Sequence, residues 1–162
     1  MVNIEEHKNV EKVIRYYLKF LPPKGLDRIL DLGCGTTAPY RGILKNRCNE
    51  LVCADIRPGP KVDIICDITK ATSFTDKYFD FVWASEVIEH LDKENQKNAI
   101  KEMVRIGKSA TITYPTPTYP TFYEDRGHIV VTIDNDFLDS IMSNFKVITT
   151  KTGRVIILYN HQ

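Results

Sequence analysis

Apolar residues recur along this chain at two different spacings, and the change from one to the other marks its elements. Val10, Val13, Ile14, Tyr17, Leu18 and Leu21 fall three or four positions apart, which predicts one apolar face of a helix ended by Pro22-Pro23. Three strands follow, at residues 28–33 (RILDLG), 50–56 (ELVCADI) and 61–68 (KVDIICDI). Between the first two, PYRGILKNR reads as helical, weakened by Gly42. A fourth strand at 78–85 (YFDFVWAS) is nearly continuously apolar from Phe79, as a parallel strand covered on both faces must be. Ala99, Ile100, Met103, Val104 and Ile106 mark a helix stopped by Gly107, and residues 109–115 (SATITYP) form a fifth strand. Beyond the Pro-rich loop TPTYPTFYEDRGH, Phe137, Leu138, Ile141, Met142 and Phe145 mark a last helix with Asp134 as candidate N-cap. KVITTKTGRVIILYN closes the pattern as a hairpin about Thr152-Gly153.

Strands alternating with helices predict an α/β fold with a parallel sheet and right-handed crossovers. The hairpin adds an antiparallel strand at or near an edge. With 162 residues and no repeats, linkers or low-complexity tracts, residues 1–162 read as one domain. A net charge of +1 supplies no general attraction to nucleic acid or membrane, and no apolar run is long enough to span a bilayer. The charged N-terminus does not read as a signal peptide. Cys34, Cys48, Cys53 and Cys66 contain no C-x-x-C pair and read as buried thiols of a cytoplasmic protein.

The loop after the first strand, DLGCGTTA, carries the chemistry. Gly33, Gly35 and Ala38 fit G-x-G-x-x-A, a fingerprint of dinucleotide sites. Asp31 opposes that reading, because a carboxylate a few Å from a pyrophosphate costs roughly 1–4 kcal/mol. The same carboxylate favours a ligand bearing an ammonium and a sulfonium, as S-adenosylmethionine does. Asp55 stands about twenty residues beyond the glycines, where an acid accepts from both ribose hydroxyls in nucleotide sites of either kind. Asp67, in ICDIT, is placed to accept from an adenine amino group with Ile68 beside the ring. Three acids thus end three successive predicted strands.

In order and spacing, ILDLGCGTTAPYR, CADI, CDIT, FDFVWASEVIEHL and ITYPTPTYP resemble the successive motifs of class I S-adenosylmethionine-dependent methyltransferases, over residues 29–145. The resemblance implies a doubly wound, Rossmann-like, mostly parallel seven-stranded sheet with an antiparallel last strand. It also implies that Asp31, Gly33 and Gly35 line the methionine part of the cofactor, Asp55 the ribose, and Asp67 and Ile68 the adenine, with Ile56 also among the cofactor-binding residues. Ser85 and Glu86 would flank the transferred methyl. Thr37 departs from the pattern, since the family usually has a third glycine there.

Methyl transfer also needs a group that aligns the acceptor and takes its proton. Glu86, His90 and His128 are the candidates. EVIEHL with a later histidine resembles the ubiquinone-biosynthesis O-methyltransferases and the enzymes that 2′-O-methylate small-RNA 3′ ends. In the latter, Glu86, Glu89, His90 and His128 would hold Mg²⁺ or Mn²⁺. A metal-free, substrate-side role for Glu86 and His90 is the other reading. Tyr114, Tyr119, Phe122 and Tyr123, interleaved with prolines, either wall a pocket or cover the end of the sheet, and Arg126 either meets an anionic substrate or pairs with Asp125. The expected function is O-methylation of a small molecule, glycan or RNA. The short chain leaves room for an oligomer or partner subunit. Two alternatives compete: an NAD-binding oxidoreductase, which Asp31 opposes, and a non-catalytic methyltransferase-like partner subunit.

Overall fold

The computed structural model describes residues 17–118, 127–151 and 153–160. Its strands are β1 (Leu26–Leu32), β2 (Cys48–Asp55), β3 (Ile64–Ile65), β4 (Phe81–Ser85), β5 (Ser109–Pro115), β6 (Phe145–Thr149) and β7 (Arg154–Asn160). The helices are α1 (Arg41–Lys45), α2 (Lys93–Ile106) and α3 (Asn135–Ile141). The strands form one seven-stranded sheet in the order β3-β2-β1-β4-β5-β7-β6. β1 to β5 run parallel; β7 is antiparallel to both β5 and β6. The α/β expectation holds, and the hairpin inserts its second strand beside β5, leaving β6 at the edge.

Alternation explains why the central strands look uniformly apolar. Leu30, Val52, Ala54 and Val82 point to the face covered by α2 and α3, where Ile100, Met103 and Leu138 pack. Ile29, Leu51, Cys53, Phe81 and Trp83 point to the opposite face, against Tyr17, Tyr40 and Leu44. Asp92 caps α2 by accepting from Asn95 N at 2.9 Å. Lys77 closes its other end, donating to Val104 O at 2.7 Å and Gly107 O at 3.2 Å. Asp134 caps α3 as expected, accepting from Phe137 N at 2.8 Å.

Several predicted boundaries shift for physical reasons. The third strand shrinks to Ile64–Ile65 because it is an edge strand, and both residues are exposed. Asp63 instead turns its carboxylate back onto Cys53 N at 2.9 Å. The fourth strand starts at Phe81, since Asp80 accepts from the backbone N–H groups of Asp27 and Arg28 at 2.9 Å each. α3 ends at Ile141, and Phe145 opens β6 instead of extending the helix. α2 ends at Gly107, but that glycine is extended (φ −105°) and is not a left-handed cap. Its requirement is space, because a Cβ there would stand 2.7 Å from Val82 Cγ2. The predicted N-terminal helix lies mostly outside the described residues, which retain Tyr17 and a 3₁₀ turn at Leu18–Phe20. Thr152 of the predicted turn also lies outside them, as do residues 119–126 of the Pro-rich loop with Tyr119, Phe122, Tyr123, Arg126 and the Arg126–Asp125 pairing. Among the described residues no helix is long and apolar enough to cross a membrane.

One acid lies inside the sheet. Asp31 pairs in register with Cys53 and Trp83, is 1% exposed, and leaves Oδ2 without a hydrogen-bond partner. Burial, reinforced by Asp55 and opposed by Arg41, pushes its carboxyl from 3.8 up to about 7.

Two outcomes are expected. Gly107→Ala should destabilise the fold by about 1–3 kcal/mol through overpacking, and Val82→Ala should relieve much of it in a urea-denaturation double-mutant cycle. Because the folded-state value of Asp31 is raised, its ionisation opposes folding, so its penalty is absent below about pH 4 and complete above about pH 7. Asp31→Asn should therefore gain stability over the parent at pH 8, by up to about 4 kcal/mol, and lose that advantage near pH 4. Equal pH dependence of the two proteins in denaturant titrations would contradict this.

Candidate active site

Strand order reverses between β1 and β4, and a crevice opens at the carboxyl ends of the strands on either side of that point. It holds a cavity of about 400 Å³, within the range of small-ligand sites. Leu32 and Gly33 line it from β1 and its loop, Asp55, Ile56 and Arg57 from the end of β2, and Cys66 to Thr69 from the segment after β3. Glu86, Val87, His90 and Leu91 line it from the segment after β4.

Gly33 and Gly35 both adopt left-handed φ, +65° and +64°, as the tight turn requires. Gly33 is also sterically required, since a Cβ would stand 2.4 Å from Val87 Cγ2. The loop is thereby pressed against the segment after β4. Thr37, where a third glycine was expected, is exposed and has no positive φ; Ala38 is left-handed instead, at φ +42°. α1 begins only at Arg41, so turns, not a helix N-terminus, follow the glycines.

Asp55 fixes this loop. Its Oδ2 accepts from Gly35 N at 2.8 Å and its Oδ1 from Arg57 N at 2.9 Å. Asp67 lies in a turn beyond β3, where Oδ1 accepts from Thr69 Oγ1 at 2.6 Å and Oδ2 meets Lys70 at 2.9 Å. The Thr69 hydrogen bond and then Lys70 hold its carboxyl below the usual range, so it stays ionised. Ile68 is buried behind it and Ile56 is exposed at the cavity wall. Asp31 and Ser85 are near these residues but do not line the cavity. Ser85 Oγ instead meets Tyr40 Oη at 3.3 Å and accepts from Thr113 Oγ1 at 3.1 Å.

The segment after β4 divides the predicted metal set. Glu86 Oε1 accepts from Tyr17 Oη at 2.6 Å and from Arg154 Nη1 at 2.7 Å, and Arg154 also donates to Tyr17. Its carboxylate is therefore engaged away from the other three candidates. Burial raises its pKa, and Arg154, Tyr17 and Thr113 oppose the rise. Glu89, His90 and His128 do converge, with one potential ligand atom from each lying within 4.8 Å of the others. Glu89 is fully buried, neither carboxylate oxygen has a partner, and burial followed by Glu86 raises its pKa well above the ordinary value. The rings of His90 and His128 meet edge to face at 4.8 Å. Lost hydration, then His128 and Arg57, hold His90 below its ordinary pKa and so favour the neutral ring. His90 lines the cavity and His128 does not.

Sequence reasoning missed Tyr17, Arg154 and Arg57. Tyr17 reads as one more apolar helix position, and Arg57 as a loop residue. Arg154 carried a signal, being a charge at the head of the apolar run VIILY.

A cavity edged by acidic side chains, a glycine loop and a carboxylate–histidine cluster suits a cationic nucleoside cofactor, and comparison with known proteins agrees. A family profile for the methyltransferase domain matches residues 30–113. A comparison with curated protein sequences finds no match. Among solved structures, an S-adenosylmethionine-dependent methyltransferase from Archaeoglobus fulgidus superposes with a TM-score of 0.69 at 20% identity, covering 94% of this chain and 93% of that one. The N-methyltransferase NodS from Bradyrhizobium japonicum, in complex with S-adenosyl-L-homocysteine, gives 0.59 at 14% identity, covering 99% and 89%. The small RNA methyltransferase HEN1 gives 0.66 at 15% identity, covering 94% of this chain and 25% of that one. At these identities the structural likeness concerns the fold, while the family match spans more than half of the chain. The chain belongs to the methyltransferase domain family and is a class I S-adenosylmethionine-dependent methyltransferase.

Proposed function

We propose that this enzyme methylates a hydroxyl oxygen, with the acceptor entering beside His90. The observation that carries the proposal is the buried, unpartnered carboxylate of Glu89 beside two histidines at the edge of the cofactor cavity. An unpartnered carboxylate in a protein interior is costly, and a divalent cation or a proton relieves it. Two imidazoles and one carboxylate suit a hard or borderline cation, so Glu89, His90 and His128 fit Mg²⁺ or Mn²⁺. Such an ion, when bound, would hold the acceptor hydroxyl and lower its pKa.

The chain's own residues do the rest. Asp55 receives the ribose hydroxyls while keeping Gly35 in place, and Asp67 with Ile68 receives the adenine. Gly33 and Gly35 let the backbone close on the methionine part, against Glu86 and Val87. S-adenosylmethionine, when bound, would supply an electrophilic methyl group for in-line transfer to the acceptor oxygen, with the carbon–sulfur electron pair returning to sulfur as the neutral thioether. The acceptor's proton must leave in the same process. A neutral His90 at the cavity wall is placed to receive it, and this metal-free route is a second reading supported by the lowered pKa of that ring. The likeness to HEN1 supports trying RNA among the acceptors. Four free cysteines support a reducing, cytoplasmic setting.

A tritium-transfer screen over RNA, glycan and small-molecule hydroxyl acceptors should label one class and leave amine acceptors unlabelled. Labelled amines with inert hydroxyls would refute O-methylation. Mn²⁺ at saturating concentration should raise the melting temperature by several degrees over EDTA-treated protein, and Glu89→Gln should abolish the rise. An unchanged melt, with turnover equal in Mn²⁺ and EDTA, would favour the metal-free route through His90.

A further inference from the structure

We infer that Glu86, held by Arg154 and Tyr17, is the residue that receives the ammonium of the cofactor's methionine tail, and that Asp31 is not. This assignment rests on the S-adenosylmethionine site proposed above.

Asp55 and Asp67, which take the nucleoside, follow β2 and β3. Glu86 follows β4, two strand spacings from β2 and so roughly 9–10 Å away across the sheet. A nucleoside seated over β2 and β3 sends its tail over the glycine loop of β1 toward β4. There the tail meets the contact between Gly33 and Val87, next to Glu86. Of the acids in this region, Glu86 lines the cavity and Asp31 does not.

Glu86 is also held still through both its backbone and its side chain. Its φ of +60° is strained for a residue with a side chain, and such strain persists only where the surroundings fix it. The backbone is fixed by Glu86 N donating to Thr113 O at 2.9 Å. The side chain is fixed at Oε1 by Tyr17, which is fully buried, and by Arg154, which is 4% exposed. Both donors meet the same oxygen, so the carboxylate of this cavity-lining residue is held in one orientation. A fixed carboxylate receives an ammonium without paying to order a flexible chain. Asp31, by contrast, is sealed behind the loop in the sheet, with Cys53 and Trp83 as its register partners. Tyr17 and Arg154 are thus positioning residues: they touch Glu86, and the assignment needs no contact between them and the cofactor.

Two unreactive nucleosides test this without an acceptor. S-adenosylhomocysteine carries the amino-acid tail, and 5′-methylthioadenosine keeps the nucleoside and lacks it. By calorimetry, Glu86→Gln should lose about tenfold to a hundredfold in affinity for S-adenosylhomocysteine and keep its affinity for methylthioadenosine. Tyr17→Phe, which removes only the hydroxyl, should show a smaller loss confined to the same ligand. Asp31→Asn should bind both as the parent does. The assignment is overturned if Glu86→Gln binds S-adenosylhomocysteine normally, if it loses both ligands alike, or if the tail-specific loss appears in Asp31→Asn instead. Parent protein that binds neither nucleoside would refute the underlying cofactor site itself, a result distinct from any of these.

Discussion

The ion pair between Arg154 and Glu86 holds the β4 end of the cavity together. It joins the last strand to the segment after β4, and Tyr17 brings the start of the described chain to the same oxygen. Buried pairs of this kind are poor sources of net stability, because two charges must first leave water. What the pair supplies is a single geometry for Glu86, a residue whose backbone would otherwise relax out of its left-handed conformation. Breaking it by removing one partner leaves a charge in a place that water reaches poorly. The wall beside the glycine loop therefore has one arrangement instead of several.

The rest of the site follows from strand order. A sheet that grows outward in both directions from β1 must leave a gap at the carboxyl ends of β1 and β4, since the chain departs to opposite faces there. Asp55 closes one side of the gap by tying Gly35 to the end of β2. Glu89, His90 and His128 close the other, and the backbone link from Ile129 N to Glu89 O at 2.6 Å keeps the later loop against the earlier turn. The two sides of the crevice are thus built from separate segments that share one opening.

Legibility in the sequence tracked how local each feature is. β1, β2 and β5 could be read because burial on both faces demands runs such as RILDL and SATITYP. The extent of β3 could not, since an edge strand with exposed Ile64 and Ile65 has the same composition as a buried one. The Asp55 position followed from its spacing to the glycines, and the pairing of His90 with His128 from their likeness to a known motif. Glu86 was grouped with them because sequence proximity does not show which way a carboxylate turns. Its true partners, Tyr17 and Arg154, stand 137 positions apart, and nothing local in either marks the other. Thr37 was suspected for want of a glycine, yet the backbone takes its left-handed residue one position later, at Ala38.

The place of β7 has a consequence for how the molecule comes into being. It follows every other strand in sequence, yet it lies inside the sheet, paired along its whole length with β5 on one side and bonded to β6 on the other. Until Arg154–Asn160 has been made, β5 has an open flank and the Glu86 carboxylate lacks its counter-charge. Contacts of such long sequence separation form slowly, because a large loop must close before they contribute. During synthesis, then, the side of the crevice built from β1, β2 and β3 can order early. The wall around Glu86 has to await the final stretch of the described chain.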